Sequence, residues 1–305
     1  MNSRPRPVDN PEAPPPPQTD DENRRITRDT SVPDAFGMLA GAAAGEALRR
    51  VRKLSSCSEP ETLHKLRVAL RRLRTLWWAF QPLLDKRDAK FHRDEFKSLA
   101  EAAGRTRDWD VLRALLSADE PTKDSFKTLI ERIDQHRSDA LSFSTRTIAN
   151  AGVERIVQHA MAAARTQIAS HTVLPPLDEF ATQRAERADK MLKKRISCVV
   201  SHRDGDYAAL HEVRIAGKRL RYSLEFFAPV LDDHYLAEIE RLAHAQEHLG
   251  HLNDLVTSET LLREYAFQLG EPHALKKAVH YLQEQQQVQG RVALDMLRAD
   301  CRLEP

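Results

Sequence analysis

From Pro33 to Arg302, apolar residues recur at three- and four-residue spacing almost without a break. No segment sustains period-two alternation, so the pattern predicts helices and no sheet. The first half divides into helices over Asp34–Leu54, Glu59–Gln81, Asp88–Ala103, Asp108–Leu116, Thr122–Ala149 and Gly152–His171. A break follows at Val173–Pro176. The second half predicts Leu177–Val200, Asp206–Phe227, Asp233–Leu249, Asn253–Leu269 and Glu271–Arg302. Residues 1–32 are different in kind. They are rich in Pro, Asp, Glu and Arg, with four consecutive prolines at Pro14 to Pro17. Such a segment buries too little apolar surface to fold alone and reads as a disordered, polyproline-stiffened tail.

The helical region repeats itself. LHKLRVALRRLRTLWWAF starts at Leu63 and LHEVRIAGKRLRYSLEFF at Leu210, an offset of 147. The shared frame is His-x-x-Arg-x-x-x-[Arg/Lys]-Arg-Leu-Arg, and Pro82 and Pro229 close the copies at matching positions. Gly104 and Gly250 correspond at an offset of 146. Each is followed by a polar–Asp pair, Arg107-Asp108 and Asn253-Asp254, whose aspartates read as helix N-caps. Glu59-Pro60 and Asp204-Gly205-Asp206 mark the turns before the repeated helices. The repeat is therefore a multi-helix unit, and residues 33–172 and 177–302 are expected to form two helical bundles.

Advancing about 100° per residue places Leu66, Ala69, Leu70, Leu73, Leu76, Trp77 and Phe80 on one face, the expected core face. His64, Arg67, Arg71 and Arg74 form a neighbouring stripe, which Trp78 continues; Arg72 lies apart. In the second copy Val213, Ala216, Leu220, Leu224 and Phe227 face the core. His211, Arg214, Lys218 and Arg221 form the stripe, Arg219 repeats Arg72, and Glu225 replaces Trp78. Like charges at this spacing repel, and neither stripe holds an acid between its histidine and its last arginine. Relief comes either from acids on neighbouring helices or from an anion outside the chain. The duplication favours the anion. The first helix of each half also ends basic, in Arg49, Arg50, Arg52 and Lys53, and in Lys190, Lys193, Lys194 and Arg195. In part these complement the helix dipole. Of these, Arg49, Lys53, Lys190, Lys193 and Lys194 are secondary anion-binding candidates.

Composition sharpens this. Lys+Arg number 47 against 45 Asp+Glu, a net charge of +2. So weak a global charge attracts a polyanion poorly, and any anion site must come from local segregation. No apolar run approaches membrane-spanning length. The N-terminus lacks the apolar segment of a secretory signal, and Cys57, Cys198 and Cys301 make neither a metal pair nor a disulfide framework. A cytoplasmic protein with reduced thiols is expected. There is no Walker loop, nucleophile elbow or cofactor fingerprint, so no cofactor is expected.

These residues resemble the CHAD family, the conserved-histidine α-helical domain. The resemblance is carried by His64-x-x-Arg67-Val68 with Arg71-Arg72-Leu73-Arg74, and by His211-x-x-Arg214-Ile215 with Lys218-Arg219-Leu220-Arg221. The Gly104–Asp108 and Gly250–Asp254 segments add to it. It spans roughly residues 33 to 300. The resemblance implies two pseudo-symmetric four-helix bundles around a basic surface, forming one domain. It implies binding of inorganic polyphosphate and association with polyphosphate granules in bacteria. Carried over by position, the binders are His64, Arg67, Arg71, Arg72, Arg74, His211, Arg214, Lys218, Arg219 and Arg221. Lys218 keeps the charge of Arg71 but loses its bidentate fork. The resemblance leaves a homo-oligomer open.

Three rival functions have weaker support. His244-Ala-Gln-Glu247-His248 matches H-x-x-E-H, and His251 extends the face, as a metal-dependent hydrolase requires. The corresponding first-half residues are Ser98, Glu101, Ala102 and Arg105, so the duplication does not preserve it, and a polar helix face is the simpler reading. Nucleic-acid binding lacks a recognition-helix arrangement, a stacking platform and a strongly basic net charge. Polyphosphate hydrolysis usually needs paired carboxylates for Mg²⁺, and the stripes hold none. Binding without catalysis is the expectation.

Overall fold

A computed structural model describes residues 25–56, 58–201, 206–232 and 234–303. The described residues contain helices and no strand. In chain order these are α1 (Val32–Ser56), α2 (Pro60–Ala79), a 3₁₀ turn (Gln81–Leu83), α3 (Lys86–Ala102), α4 (Arg105–Leu115), α5 (Glu120–Ser125) and α6 (Lys127–Asn150). They continue with α7 (Val153–Ala169), α8 (Leu177–Ser201), α9 (Tyr207–Phe227), α10 (His234–Glu264), α11 (Ala266–Leu269) and α12 (Pro272–Leu303). No described helix is long and apolar enough to cross a membrane.

The repeated helices α2 and α9 lie at the centre. On α2 the expected core face is buried: Leu66, Ala69, Leu70, Leu73, Leu76, Trp77 and Phe80 are each 2% exposed or less. Removing a side chain such as Trp77 there would cost about 3–5 kcal/mol. On α9, Val213, Ala216, Leu220, Leu224 and Phe227 are buried likewise. Pro60 opens α2 at the first turn, where its missing N–H is harmless. Asp206 caps α9, its carboxylate accepting from Ala208 N at 3.2 Å. The rest of the expected Asp204-Gly205-Asp206 turn lies outside the described residues.

α1, α3 and α7 pack around the first half, and α8, α10 and α12 around the second, with direct α2–α9 and α4–α10 contacts. The larger apolar cluster draws on both halves, and so does a smaller one joining Trp109, Leu112 and Leu129 to Leu255, Leu262 and Leu282. Phe80 and Phe227, equivalent residues of the repeat, meet at a ring separation of 5.9 Å. Phe180 of α8 touches both, at 5.2 and 6.1 Å. This aromatic contact fastens the C-terminal ends of α2 and α9 together.

The structure departs from the periodicity in four places. Asp233–Leu249 and Asn253–Leu269 are not separate helices: α10 runs through Gly250 to Glu264. A lone glycine weakens a helix by only about 1 kcal/mol, and here packing overrides it. Asp108 and Asp254 are accordingly not N-caps; the first sits inside α4 behind the capping Gly104, the second within α10. Thr122–Ala149 divides at Phe126, whose buried side chain joins the smaller cluster. Finally, the fold begins before Val32: Ile26 is 3% exposed and Arg28 pairs with Asp232 at 3.1 Å. The proline run expected to be disordered lies outside the described residues.

Candidate functional site

Two cationic rows meet where α2 faces α9. Arg71 of α2 feels Arg221 of α9, while Arg214 feels Arg71 and Arg67. Lys218 feels Arg71, Arg214 and Arg221. Six cations therefore converge: Arg67, Arg71 and Arg74 from one copy, Arg214, Lys218 and Arg221 from the other. Most are half-buried, and Arg74 alone among them is exposed.

Burial and mutual repulsion oppose their charge. Burial above all lowers Arg71 and Arg214 from the ordinary guanidinium range, with further lowering from the neighbouring arginines. The Lys218 ammonium falls furthest, to about 6. Burial is the main cause, followed by Arg71 and Arg214, against an opposing pull from Asp254. An arginine stays charged through such a shift, whereas a lysine does not.

Acids from neighbouring helices relieve part of this charge. Arg67 Nη1 donates to Gly104 O at 3.3 Å and to Asp108 Oδ1 at 3.4 Å. The approach needs a glycine: a Cβ on Gly104 would lie 2.3 Å from Arg67 Nη1. Burial raises the Asp108 carboxyl above its ordinary value, which Arg67 opposes and Asp254 reinforces. Asp254 likewise acts on Arg214 and Lys218. Glu225 takes Arg221 at 3.3 Å and Arg72 at 3.7 Å. Acids on neighbouring helices thus supply part of the relief that the duplication had assigned to an anion outside the chain. No acid within either stripe supplies the relief. Asp108 and Asp254 arrive from α4 and α10, and Glu225 lies one turn beyond Arg221. The cations still outnumber them, and among the described residues Arg71, Arg74, Arg214 and Lys218 form no ion pair.

The outlying arginines clasp the opposite helix. Arg72 lies 5.1 Å over the Phe226 ring of α9, and Arg219 lies 5.0 Å over Trp78 of α2. Trp78, expected to continue the exposed stripe, is instead 8% exposed. The two histidines differ. His64 Nδ1 is buried without a hydrogen-bond partner, and burial followed by Arg107 keeps its imidazole below the usual pKa. His211 Nδ1 lies 3.4 Å from Tyr207 Oη, which donates to Asn253 Oδ1 at 3.3 Å.

The basic ends of α1 and α8 are largely taken up by acids of their own surroundings, although Arg195 lies within electrostatic range of Arg219. Arg49 and Arg50 bind Glu46, Lys53 binds Glu59 at 3.0 Å, and Arg52 reaches Glu154 at 3.5 Å. Lys190 pairs with Glu186, Lys193 with Asp189 and Arg195 with Glu212, while Lys194 is exposed. The rival histidine face brings His244 and His248 to 5.2 Å between rings. Among the described residues no group of three metal-ligating side chains comes together.

Arg107, Tyr207, Asn253, Asp108 and Asp254 belong to the site's surroundings, yet periodicity assigned them no part. The duplicated Arg107-Asp108 and Asn253-Asp254 pairs were the available signal. Their partners on α2 and α9 are set by helix packing, which spacing alone does not encode.

Comparison with known proteins places this geometry in a family. The CHAD domain model matches residues 41–263. The crystal structure of the CHAD domain from the plant Ricinus communis is similar to this chain, with a TM-score of 0.76 and 27% identity over 90% of this chain and 94% of that one. PptA from Streptomyces chartreusis shares the fold, with a TM-score of 0.62 and 19% identity over 88% of this chain and 100% of that one. No curated protein sequence matches. With more than half of its length matched and the same helical architecture, the chain belongs to the CHAD domain family.

Proposed function

We propose that this protein binds inorganic polyphosphate in the cleft between α2 and α9, and through it associates with polyphosphate granules. The observation that carries the reading is the convergence of Arg71, Arg214 and Lys218, half-buried cations that repel one another and form no ion pair among the described residues. A flexible chain of phosphates supplies closely spaced negative charge and acceptor oxygens matched to guanidinium forks. Arg67, Arg74 and Arg221 extend the contact on either side. Binding of this kind releases counterions and weakens steeply with salt.

The arrangement favours holding the anion over cleaving it. Asp108 acts on Arg67, Asp254 on Arg214 and Lys218, and Glu225 on Arg221. Their role in this reading is to orient cations. Phosphate release from polyphosphate in Mg²⁺ would contradict it. Duplex DNA that displaced polyphosphate at equal phosphate concentration would favour general polyanion binding.

The test is calorimetric titration of long-chain polyphosphate into wild-type protein and an Arg71→Gln/Lys218→Gln variant. Each lost charge-assisted contact removes about 1.5–3 kcal/mol, so affinity should fall at least about 100-fold with helicity retained. Unchanged affinity would put the site elsewhere.

A further inference from the structure

The basic surface does not end at the cleft. Arg219 lies within electrostatic range of Arg74, of Arg93 on α3 and of Arg195 on α8. Arg219 lies over one part of Trp78 at 5.0 Å, and Arg184 of α8 lies over the same ring at 4.6 Å. Arg187 follows one turn along α8 and repels Arg184. Two guanidiniums, from Arg184 and Arg219, thus lie over one indole, and three more, from Arg74, Arg93 and Arg187, lie within electrostatic range of one or the other. Among the described residues none of them forms an ion pair, although most other arginines of the fold do.

A structural role accounts for two of them, Arg219, which clasps α2 through Trp78, and Arg184. α2 has no basic residue in its last turn, and Arg184 Nη2 donates to Trp78 O at 3.1 Å, adding a charged donor to a carbonyl of that turn. Arg184 Nε nevertheless stays buried without a partner, and burial, then Arg187, lowers this guanidinium to about 10. Arg93 donates to the side-chain carbonyl of Gln81 at 3.4 Å and feels the carboxylate of Asp94 without forming an ion pair with it. Cation–π contacts hold Arg184 and Arg219 against Trp78 without neutralising them.

We propose that this arginine cluster around Trp78 is a second anion station, continuous with the α2–α9 cleft through Arg74, which lets the protein discriminate long phosphate chains from short ones. The proposal rests on the polyphosphate reading of the cleft. A short oligophosphate fills the cleft alone. A long chain leaves it past Arg74 and Arg219 and is taken up by Arg93 and Arg187, so added length gains contacts without a second binding event.

The experiment uses the full chain, with tripolyphosphate and long-chain polyphosphate as separate probes. An Arg93→Gln/Arg187→Gln variant should lose about 10-fold or more in long-chain affinity, the scale of one to two charged contacts. Its tripolyphosphate affinity should stay within about twofold, since additive effects are expected between separate sites. Arg187 is exposed, and the single Arg187→Gln variant gives a milder substitution with the same direction. Tryptophan emission should change with the long chain only, and Trp78→Phe should remove that change. Equal loss for both ligands, or undiminished long-chain affinity, overturns the second station. Wild-type protein that binds neither ligand overturns the polyphosphate reading itself.

Discussion

The two copies of the basic helix share their charges but not their surroundings. In the first copy, a break between α3 and α4 lets the Gly104 carbonyl and Asp108 hold the Arg67 guanidinium. In the second, α10 runs unbroken past Gly250, and Arg214 Nε is buried without a partner. The central cation is Arg71 in one copy and Lys218 in the other, and only the lysine falls low enough to lose its proton near neutrality. One row is thus permanently charged and partly fixed, while the other carries a titratable cation. Duplication preserved the basic side chains, and the neighbouring helices gave each row its own surroundings.

Lys218 provides the sharpest way to break this comparison. A bound polyanion stabilises its ammonium, so binding above about pH 6 takes up a proton. Arg71, Arg214 and Arg221 oppose that protonation and Asp254 assists it. Polyphosphate affinity should therefore fall as pH rises from 6 to 8, by at most about 10-fold per unit for one proton. The uptake is measurable as a buffer-dependent binding enthalpy. Lys218→Arg should flatten the dependence and bind more tightly at pH 8. Without ligand the sign reverses. The folded-state pKa lies below the unfolded value, so stability rises between about pH 6 and 10.5 as the unfolded chain holds the extra proton. A Tm that falls across that range in the wild type but not in Lys218→Met would contradict the burial of this ammonium.

The glycines give a smaller and opposite pair of effects. Gly104→Ala places a methyl against the Arg67 guanidinium and should weaken polyphosphate binding about fivefold, the scale of one hydrogen bond. Gly250→Ala meets no atom within 4 Å inside a continuous helix. It should leave affinity unchanged and add roughly 1 kcal/mol of stability, read from chemical denaturation. Equal effects at both positions would mean that the halves hold their rows alike.

Much of this could be read from the chain. The core faces of α2 and α9 follow from period alone, because a buried stripe must be apolar at each turn. The basic stripes follow too, since their charges sit at fixed angles from that core. What spacing does not encode is which helix passes in front of each stripe. Asp108 and Asp254 looked like caps because a glycine preceded each, but only the first glycine ends a helix. Trp78 looked like an extension of the exposed line. Arg184, 106 residues away along the chain, covers it, and no local pattern announces a contact of that range.

The central claim is that α2 and α9 grip one anion together. A double-mutant cycle with Arg71→Gln and Lys218→Gln, read as long-chain polyphosphate affinity at fixed salt, tests it most directly. Side chains that share a ligand should show a coupling of at least about 1 kcal/mol. Losses that add to within about 0.5 kcal/mol would mean two independent surfaces and would contradict a common site.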